Sequence, residues 1–316
     1  MPGAILLAIT SWDPAPWIAR FRTRATGRDI RVWPNDIGDP TNIEYICAWK
    51  PTSGSLIGFP NLKAIFSLGA GVDHLIGDPA LPNVPVVRIV DRDLTQRMTE
   101  YIVLHTLMFH RRQRLYDSQQ RDCVWFEHDQ PAAHEVAVGI MGLGELGSDA
   151  AEVLQRIGFQ VAGWSRGPKT LSGIEVFHGK TGLDAFLART EILVTLLPHT
   201  PATVGILNRD LFSKLKRSGA LGGAYLINAG RGKLQVDEDI VAALDSGILS
   251  SAALDVFPTE PLPRESPLWR HDKVTVTPHN AAVSDPDALV EYVLRQITRH
   301  EAGQPLENAI DRVEGY

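Results

Sequence analysis

The stretch that decides the fold, residues 136–164, reads VAVGIMGLGELGSDAAEVLQRIGFQVAGW. Its first residues form an apolar run of buried-strand length, which leads directly into GLGELG at 142–147, a G-x-G-x-x-G spacing. Apolar residues then recur with helical spacing as far as Ile157, and Gly158 ends that helix before a second apolar run. The pattern predicts strand, glycine-rich turn, helix and strand, a unit typical of dinucleotide binding.

The three glycines of this turn have separate physical roles. Gly142 makes the tight turn, Gly144 lets a pyrophosphate approach the backbone, and Gly147 lets the helix pack on the strand. The helix N-terminus offers unpaired N–H groups and a positive dipole end to the phosphates. The alternative is a structural turn that binds no ligand, but the surrounding strands and helix favour a cofactor site.

The residues after the second strand indicate which dinucleotide binds. In NAD-binding units an Asp or Glu about 20 residues past the turn usually binds the ribose 2′-hydroxyl. Ser165 and Arg166 occupy that place here, and Lys169 follows three residues later. Such cations and a hydroxyl suit a 2′-phosphate, so the sequence predicts NADP(H) rather than NAD(H). The alternative is that Arg166 and Lys169 are a solvated pair on a loop.

Length and composition restrict the class of protein. A chain of 316 residues allows two domains, and a formal net charge of −6 argues against a general nucleic-acid-binding protein. Cys47 and Cys123 are too few for a disulfide framework, and no segment reaches transmembrane length without charge. The histidines lack metal-ligand spacing. We therefore expect a cytoplasmic protein with no metal, nucleic-acid or membrane partner.

Short β-rich runs separated by Pro, Gly, Asn and Asp predict an α/β fold with a doubly wound parallel sheet. A helix is expected over 98–112, followed by a polar, irregular passage to Pro131, and a last helix near 287–300 could return to the first domain. We therefore divide the chain into a first domain of 1–97 plus 285–316 and a second of 98–284. The predicted strands are Ala4–Ile9, Ile30–Trp33, Ile43–Trp49, Leu62–Leu68, Val84–Val90, 136–140, 159–164, Ile192–Leu197, Ala224–Asn228, Ser251–Asp255 and Val274–Thr277.

Three ionisable residues each follow a predicted strand, at the sheet edge where α/β proteins bind ligands. His279 has the side chain suited to give a proton to a new alkoxide, and a carboxylate such as Glu260 beside it favours the charged imidazolium. Arg231 can hold a substrate carboxylate and polarise the neighbouring carbonyl. Together they indicate a 2-oxo acid reductase. Singly, they also fit a surface histidine, a loop charge and a cofactor-phosphate contact.

The glycine-rich turn SLGAGVD at 67–73 is a further candidate, because N–H groups exposed after a strand can hold a carboxylate. An ordinary turn explains the same residues equally well.

Several motifs, in this order along the chain, resemble the D-isomer-specific 2-hydroxyacid dehydrogenases, and the resemblance covers essentially the whole chain. They are Gly142–Gly147, Asn228–Gly232, Ala253–Phe257 with Glu260-Pro261-Leu262, and Thr277-Pro278-His279. Within that family the chain looks most like the glyoxylate/hydroxypyruvate reductase A group. The residues that carry this closer likeness are Trp164-Ser165-Arg166, Leu196–Pro201, Glu265–Trp269 and the final Gly315-Tyr316.

The resemblance implies two Rossmann-like domains with a cleft between them, the first one flavodoxin-like, and a homodimer. It implies NADPH-dependent reduction of glyoxylate to glycolate and of hydroxypyruvate to D-glycerate. Arg231 corresponds to the family's substrate-binding arginine, and Glu260 and His279 to its acid–histidine pair. One departure is that Arg166 stands where the typical member has an acid, in agreement with NADP(H).

The remaining site residues follow from the same resemblance. Asp255 matches the aspartate that contacts the nicotinamide carboxamide, and Ala70 and Gly71 match the turn that binds the substrate carboxylate. Trp49 corresponds to a pocket tryptophan, and Trp125 to a residue of the subunit-contact arm. The predicted cofactor-binding residues are Gly142, Gly144, Leu146, Gly147, Ser165, Arg166, Lys169, Pro198, Thr203, Ala229 and Asp255. Two other functions remain open, a nucleotide-sensing binding protein of the same fold and a reductase of bulkier 2-oxo acids.

Overall fold

The computed structural model describes residues 2–10 and 13–312, so Gly315 and Tyr316, which carry part of the resemblance, lie outside the described residues. Residue contacts divide the chain into two compact units, one of Met1–Leu94 with Ser284–Tyr316 and one of Thr95–Val283. Each unit is built around a parallel sheet, as the alternation of strand and helix signals predicts. None of the helices in the described ranges is long and apolar enough to cross a lipid bilayer.

The chain forms the following elements, numbered in order. The strands are β1 (Ala4–Ile9), β2 (Ile30–Val32), β3 (Ile43–Trp49), β4 (Ala64–Ser67), β5 (Val86–Val87), β6 (Ala137–Met141), β7 (Gln160–Ser165), β8 (Glu175–His178), β9 (Ile192–Thr195), β10 (Tyr225–Asn228), β11 (Ser251–Leu254) and β12 (Val274–Val276). The α-helices are α1 (Ala15–Arg24), α2 (Asp73–Ile76), α3 (Arg92–His110), α4 (Gln113–Arg121), α5 (Glu145–Ile157), α6 (Gly179–Arg189), α7 (Arg209–Ser213), α8 (Asp237–Asp245) and α9 (Pro286–Glu301). Single 3-10 turns lie at Pro40–Asn42, Ala133–Glu135, Gly232–Leu234 and Pro267–Arg270.

The first unit has five parallel strands in the order β2-β1-β3-β4-β5, the order of flavodoxin-like sheets. Its central strands are almost wholly apolar because both faces are covered. Helix α9 lays Leu289, Val290 and Val293 into the core on one face and packs on α1. Asp287, in the first turn of α9, forms ion pairs with Arg20 and Arg24 of α1. The end of the chain is thus part of the first unit.

The second unit has seven parallel strands in the order β12-β11-β10-β9-β6-β7-β8. Successive strand residues point to opposite faces, and two apolar clusters accordingly cover the two sides. The order reverses between β6 and β9, and in open α/β sheets this switch point is where a ligand crevice forms. The glycine-rich turn at 142–147 follows β6, so the fold positions it at the switch point.

The structure differs from the sequence-based expectations at several element boundaries; of the predicted strand Val84–Val90, for example, only Val86–Val87 is a strand. Three larger differences have a local cause. Strand β8 was not predicted, because an edge strand that is only partly buried has no continuous apolar run. Helix α4 occupies the passage expected to be irregular; none of its residues is buried, so it has no apolar face to reveal it. Helix α3 starts at Arg92 rather than 98, because the Asp91 carboxylate accepts hydrogen bonds from the first free N–H groups.

Candidate active site

The glycine-rich turn after β6 is sterically tight at two of its three glycines. Gly142 has φ +102°, and a Cβ on it would lie 2.8 Å from the carbonyl carbon of Leu196. A Cβ on Gly147 would lie 1.9 Å from the carbonyl oxygen of Gly142. A Cβ on Gly144, in contrast, would meet nothing within 4 Å. The space beside Gly144 and the start of α5 is therefore open to a group that needs backbone N–H donors, such as a pyrophosphate.

The loop after β7 carries the three residues predicted to select the cofactor. Ser165, which is buried, donates a hydrogen bond from its hydroxyl to the carbonyl oxygen of Gly167 at 2.8 Å. Arg166 is exposed. The Lys169 ammonium donates to the carbonyl oxygen of Leu143 at 2.5 Å. The structure thus brings Lys169 to the glycine-rich turn and leaves Arg166 on the solvent side of the loop.

Two more predicted cofactor residues meet in the loop after β9. The Thr203 hydroxyl donates to the carbonyl oxygen of Pro198 at 2.7 Å and accepts a hydrogen bond from the Thr200 amide at 2.8 Å. Across the sheet, Ala229 is buried directly after β10, and its amide donates to the carbonyl of Thr195 at 3.2 Å. These contacts fix the loops after β9 and β10, two neighbouring strands on one side of the switch point.

The predicted acid–histidine pair is formed. His279 Nδ1 and Glu260 Oε2 are 2.8 Å apart, and Glu260 Oε1 accepts a hydrogen bond from the Phe257 amide at 3.1 Å. The two side chains are 39% and 26% exposed, so the pair is open to a ligand. His279 has φ +53°, in the left-handed region that is uncommon for residues other than glycine. Local contacts must therefore hold this backbone in place.

Arg231 lies on the neighbouring loop, after β10. A Cβ on Gly232 would lie 1.9 Å from the carbonyl oxygen of Phe257, so the loops that carry Arg231 and Glu260 touch main chain to main chain. The half-buried Arg231 donates from Nη1 to the carbonyl oxygen of Gly230 at 2.7 Å. The loops after β10, β11 and β12 thus meet at one edge of the sheet, which gathers an arginine, a glutamate and a histidine.

In the first unit, the predicted carboxylate-binding turn follows β4, next to the end of β3, where Trp49 lies. Ser67 Oγ lies 3.0 Å from the carbonyl oxygens of both Gly69 and Gly71, which shapes the turn. A Cβ on Gly69 would lie 2.3 Å from Trp49 Cζ3. Trp49 therefore packs directly on this turn, of which Ala70 and Gly71 are half-exposed.

Comparison with known proteins places this site in a family. Residues 103–281 match the model of the D-isomer specific 2-hydroxyacid dehydrogenase, NAD binding domain. This chain belongs to the D-isomer specific 2-hydroxyacid dehydrogenase family. The match spans all seven strands of the sheet in the second unit, so this unit is the dinucleotide-binding domain of the family.

Three similar proteins span the entire chain. Glyoxylate/hydroxypyruvate reductase A of Escherichia fergusonii is 39% identical over 99% of both chains. A probable 2-hydroxyacid dehydrogenase from Rhizobium etli, solved with NADP, HEPES and L(+)-tartaric acid, is 48% identical with a TM-score of 0.95 over 100% of both chains. An NADPH-dependent glyoxylate/hydroxypyruvate reductase from Sinorhizobium meliloti, solved with NADP and sulfate, is 44% identical with a TM-score of 0.92, over 99% of this chain and 100% of that one.

Asp255, expected in this family to contact the nicotinamide carboxamide, is also bound extensively by the chain itself. It is 1% exposed, and its carboxylate accepts hydrogen bonds from the Thr277 hydroxyl at 2.6 Å and from the amides of Asn280 and Ala281, both at 3.0 Å. The cofactor contact stays a prediction. The carboxylate's observed partners all belong to the segment that carries His279.

Sequence reasoning missed the far end of this network. The hydroxyls of Tyr101 and Thr277 are 3.0 Å apart although 176 residues separate them in the chain. His105, one helical turn after Tyr101, packs against its ring in a tilted arrangement, with the centroids 4.3 Å apart. Thr277 could have been noticed from its place directly before Pro278 and His279. Nothing local marks Tyr101, which reads as an ordinary core residue of a helix.

The passage between α4 and β6 carries the candidate arm residue. Trp125 is fully exposed, Val124 is half exposed, and Phe126 is more than half exposed. Three consecutive exposed apolar side chains are unusual on a water-facing surface and are typical of interaction sites.

Proposed function

We propose that this chain reduces small 2-oxo acids with NADPH, glyoxylate to glycolate and hydroxypyruvate to D-glycerate, with His279 as the proton donor. The observation that carries the proposal is the 2.8 Å contact of His279 Nδ1 with Glu260 Oε2, at the ligand-binding edge of a sheet with a dinucleotide-binding turn. The names of the Escherichia fergusonii and Sinorhizobium meliloti relatives support these substrates, and the NADP complexes of the solved relatives support the cofactor.

The proton transfer follows from the geometry of the pair. Because Glu260 accepts the Nδ1 hydrogen, the imidazolium of His279 has Nε2–H left to donate. When bound, the nicotinamide supplies a hydride to the carbonyl carbon. His279 gives the Nε2 proton to the carbonyl oxygen, so the aldehyde or ketone becomes an alcohol and the imidazole becomes neutral. Glu260 stabilises the charged imidazolium before the transfer.

The substrate is held by groups that recognise a carboxylate. Arg231 binds the carboxylate with its planar fork and polarises the adjacent carbonyl, which makes the carbon a better hydride acceptor. The backbone amides of the turn at Ala70 and Gly71 also suit a carboxylate. Trp49, packed on that turn, forms a wall that restricts the bulk of the substrate's side chain.

The cofactor preference comes from the loop after β7. Arg166 and Ser165 bind the 2′-phosphate, and Lys169, which is already fixed to the glycine-rich turn, adds a second positive charge. The open space at Gly144 and the start of α5 takes the pyrophosphate. Leu146, Pro198, Thr203, Ala229 and Asp255 complete the cofactor-binding set.

The assembly is a homodimer in which the exposed segment Val124–Phe126 lies at the subunit contact. Burial of these side chains against a second copy accounts for their exposure in the single chain. The protein works in the cytoplasm, where its two free cysteines, Cys47 and Cys123, stay reduced.

The deciding experiment follows NADPH consumption by the purified protein with glyoxylate, hydroxypyruvate, pyruvate and phenylpyruvate, with NADH in parallel. We expect turnover of glyoxylate and hydroxypyruvate with preference for NADPH. Arg231→Ala should abolish turnover of every acid and leave NADPH binding intact, whereas Lys233→Ala, an exposed cation on the same loop, should have no effect. Turnover of phenylpyruvate alone would indicate a reductase of bulkier acids. NADPH binding without turnover of any acid would indicate a nucleotide-sensing protein and remove the proposed reaction.

A further inference from the structure

The segment that carries His279 is fastened by hydrogen bonds on both sides of that residue. Before it, the Thr277 amide donates to the carbonyl of Leu254 at 3.0 Å, and the Thr277 hydroxyl donates to the Asp255 carboxylate at 2.6 Å. After it, the amides of Asn280 and Ala281 donate to the same carboxylate. A single buried carboxylate therefore ties both ends of the turn on which His279 sits.

The main chain of His279 needs such support. Its φ of +53° costs free energy for a residue with a Cβ, and it persists only where neighbouring contacts dictate it. The His279 amide itself donates to the main-chain carbonyl of Asp255 at 2.8 Å. If the carboxylate of Asp255 lost one of its three partners, the turn could relax, and His279 Nδ1 would no longer be held at 2.8 Å from Glu260.

Helix α3 supplies the last member of this network. The carboxylate of Asp255 accepts the hydrogen of the Thr277 hydroxyl, and a hydroxyl has only one hydrogen. In the 3.0 Å contact between the two hydroxyls, Tyr101 must therefore be the donor and Thr277 the acceptor. The chain of donors runs in one direction, from Tyr101 to Thr277 to Asp255. Each such bond polarises the next in a low-dielectric interior.

We propose that Tyr101, acting through Thr277 and Asp255, is a positioning residue that holds His279 in the orientation needed for proton transfer. This inference rests on the proposed function of His279 and adds a residue from a distant helix to it. Tyr101 suits the task because its ring is fixed. Tyr101 is 8% exposed, belongs to an apolar cluster with Met98 and Ile102, and packs its ring against that of His105.

Burial keeps the Tyr101 hydroxyl protonated and therefore able to donate. Desolvation raises the pKa of Tyr101, the hydrogen bond with Thr277 opposes this, and the negative charge of Asp255 raises the pKa further. The hydroxyl is therefore protonated, and able to donate, at neutral pH.

Three variants test the inference. Tyr101→Phe removes the hydroxyl and keeps the ring, Thr277→Val removes the link, and Thr277→Ser preserves it. For Tyr101→Phe and Thr277→Val we expect kcat for glyoxylate to fall on the order of tenfold or more, as misplaced catalytic groups do, with KM and NADPH affinity unchanged. Thr277→Ser should keep kcat near the wild-type value. The double variant Tyr101→Phe/Thr277→Val should lose no more kcat than Thr277→Val alone, since both substitutions break the same chain of hydrogen bonds.

The matched control is Tyr225→Phe. Tyr225 is a largely buried tyrosine of the same unit, but it lies at the start of β10 and thus at the opposite end of the strands from His279. Tyr225→Phe should lower the free energy of unfolding by about as much as Tyr101→Phe does, while leaving kcat unchanged. An equal loss of kcat in Tyr225→Phe, or a wild-type kcat in Tyr101→Phe, would overturn the inference.

A readout without turnover separates this inference from the proposed function. Amide hydrogen exchange of a peptide over residues 277–283 should be faster in Tyr101→Phe than in the wild type, while a peptide over 142–150 should not change. If the wild-type protein reduces no 2-oxo acid, the proposed function fails, and the role of Tyr101 in catalysis fails with it. If turnover is normal but the exchange and kcat of Tyr101→Phe match the wild type, only the inference about Tyr101 fails.

Discussion

The ammonium of Lys169 donates a hydrogen bond to the main-chain carbonyl of Leu143 at 2.5 Å, so the loop after β7 is tied to the glycine-rich turn. Lys169 and Arg166, although three residues apart, should therefore behave differently when removed. Lys169→Met should weaken the binding of both NADPH and NADH, because it loosens the turn that either cofactor needs. Arg166→Ala should weaken the binding of NADPH alone, since only NADPH carries the 2′-phosphate.

The size of the Arg166 effect can be stated. A charge-assisted hydrogen bond contributes about 1.5–3 kcal/mol, so kcat/KM for NADPH should fall about 10- to 100-fold, with that for NADH nearly unchanged. Steady-state assays with each cofactor measure this. Arg156→Ala, which removes an exposed arginine of α5, is the control. An unaltered NADPH-to-NADH ratio in Arg166→Ala would mean that Arg166 is only a solvated cation.

Alanine at two glycines of the same turn should separate folding from cofactor binding. Gly147→Ala places a Cβ 1.9 Å from the carbonyl oxygen of Gly142, so we expect a loss of about 1–3 kcal/mol in unfolding stability. Gly144→Ala meets nothing within 4 Å and should leave the thermal midpoint unchanged, yet weaken NADPH binding by intruding on the pyrophosphate. Thermal melts with and without NADPH distinguish the two. Normal NADPH affinity in Gly144→Ala would remove this turn from the cofactor site.

The backbone of His279 calls for a particular substitution. Asparagine tolerates φ near +53° better than alanine or glutamine, so His279→Asn removes the imidazole with little strain. We expect kcat to fall about 10²- to 10⁴-fold, the usual contribution of a general acid, with NADPH affinity and melting temperature kept. His279→Ala should lose the same activity and also melt at a lower temperature. Retained turnover in His279→Asn would show that another group donates the proton.

The buried side chain of His105 makes the free energy of unfolding depend on pH. Burial lowers its pKa from 6.5 to about 4, with Asp255 opposing the shift and Arg114 adding to it. Below pH 6.5 the unfolded chain binds a proton that the folded chain does not, so this contribution to stability is complete above pH 6.5 and declines as the pH falls to about 4. The loss is about 1.4 kcal/mol per pH unit within that window. Burial also lowers the pKa of His110, which contributes with the same sign.

Urea denaturation between pH 7.5 and 4.5 measures this slope. The upper limit lies about one pH unit above the window, and the lower limit lies inside it, about half a unit above its acid end. His105→Phe should flatten the decline by about one proton's worth relative to the wild type, while His134→Gln, which changes an exposed histidine, should not. Equal slopes for the wild type and His105→Phe would mean that His105 is protonated in the folded protein.

The sequence could predict those parts of the site that depend on a contiguous stretch of residues or on the order of strands along the chain. The glycine-rich unit is local, since its strand, turn and helix are contiguous, and the structure has all three. Arg231, Glu260 and His279 follow from the rule that parallel strands present their carboxyl ends at one edge. Each needed only a recognisable strand before it.

The sequence did not predict elements that bury few of their side chains, or contacts between residues that are distant in the chain. Helix α4 is short, mostly polar and buries none of its residues, and β8 is an edge strand with little burial, so neither has the continuous apolar pattern by which such elements are found. The contact of Tyr101 with Thr277 and the contact of Lys169 with Leu143 join residues whose neighbourhoods reveal nothing of each other. Only the folded chain brings them together.

The return of helix α9 to the first unit has a consequence for biosynthesis. The first unit needs Leu289, Val290 and Val293 to complete its core, and these residues are translated after the whole of the second unit. The second unit, Thr95–Val283, is contiguous and has been fully translated by then. The nascent protein can therefore complete its nucleotide-binding half first. Until α9 has been translated, the first unit must keep the apolar face on which α9 packs from aggregating.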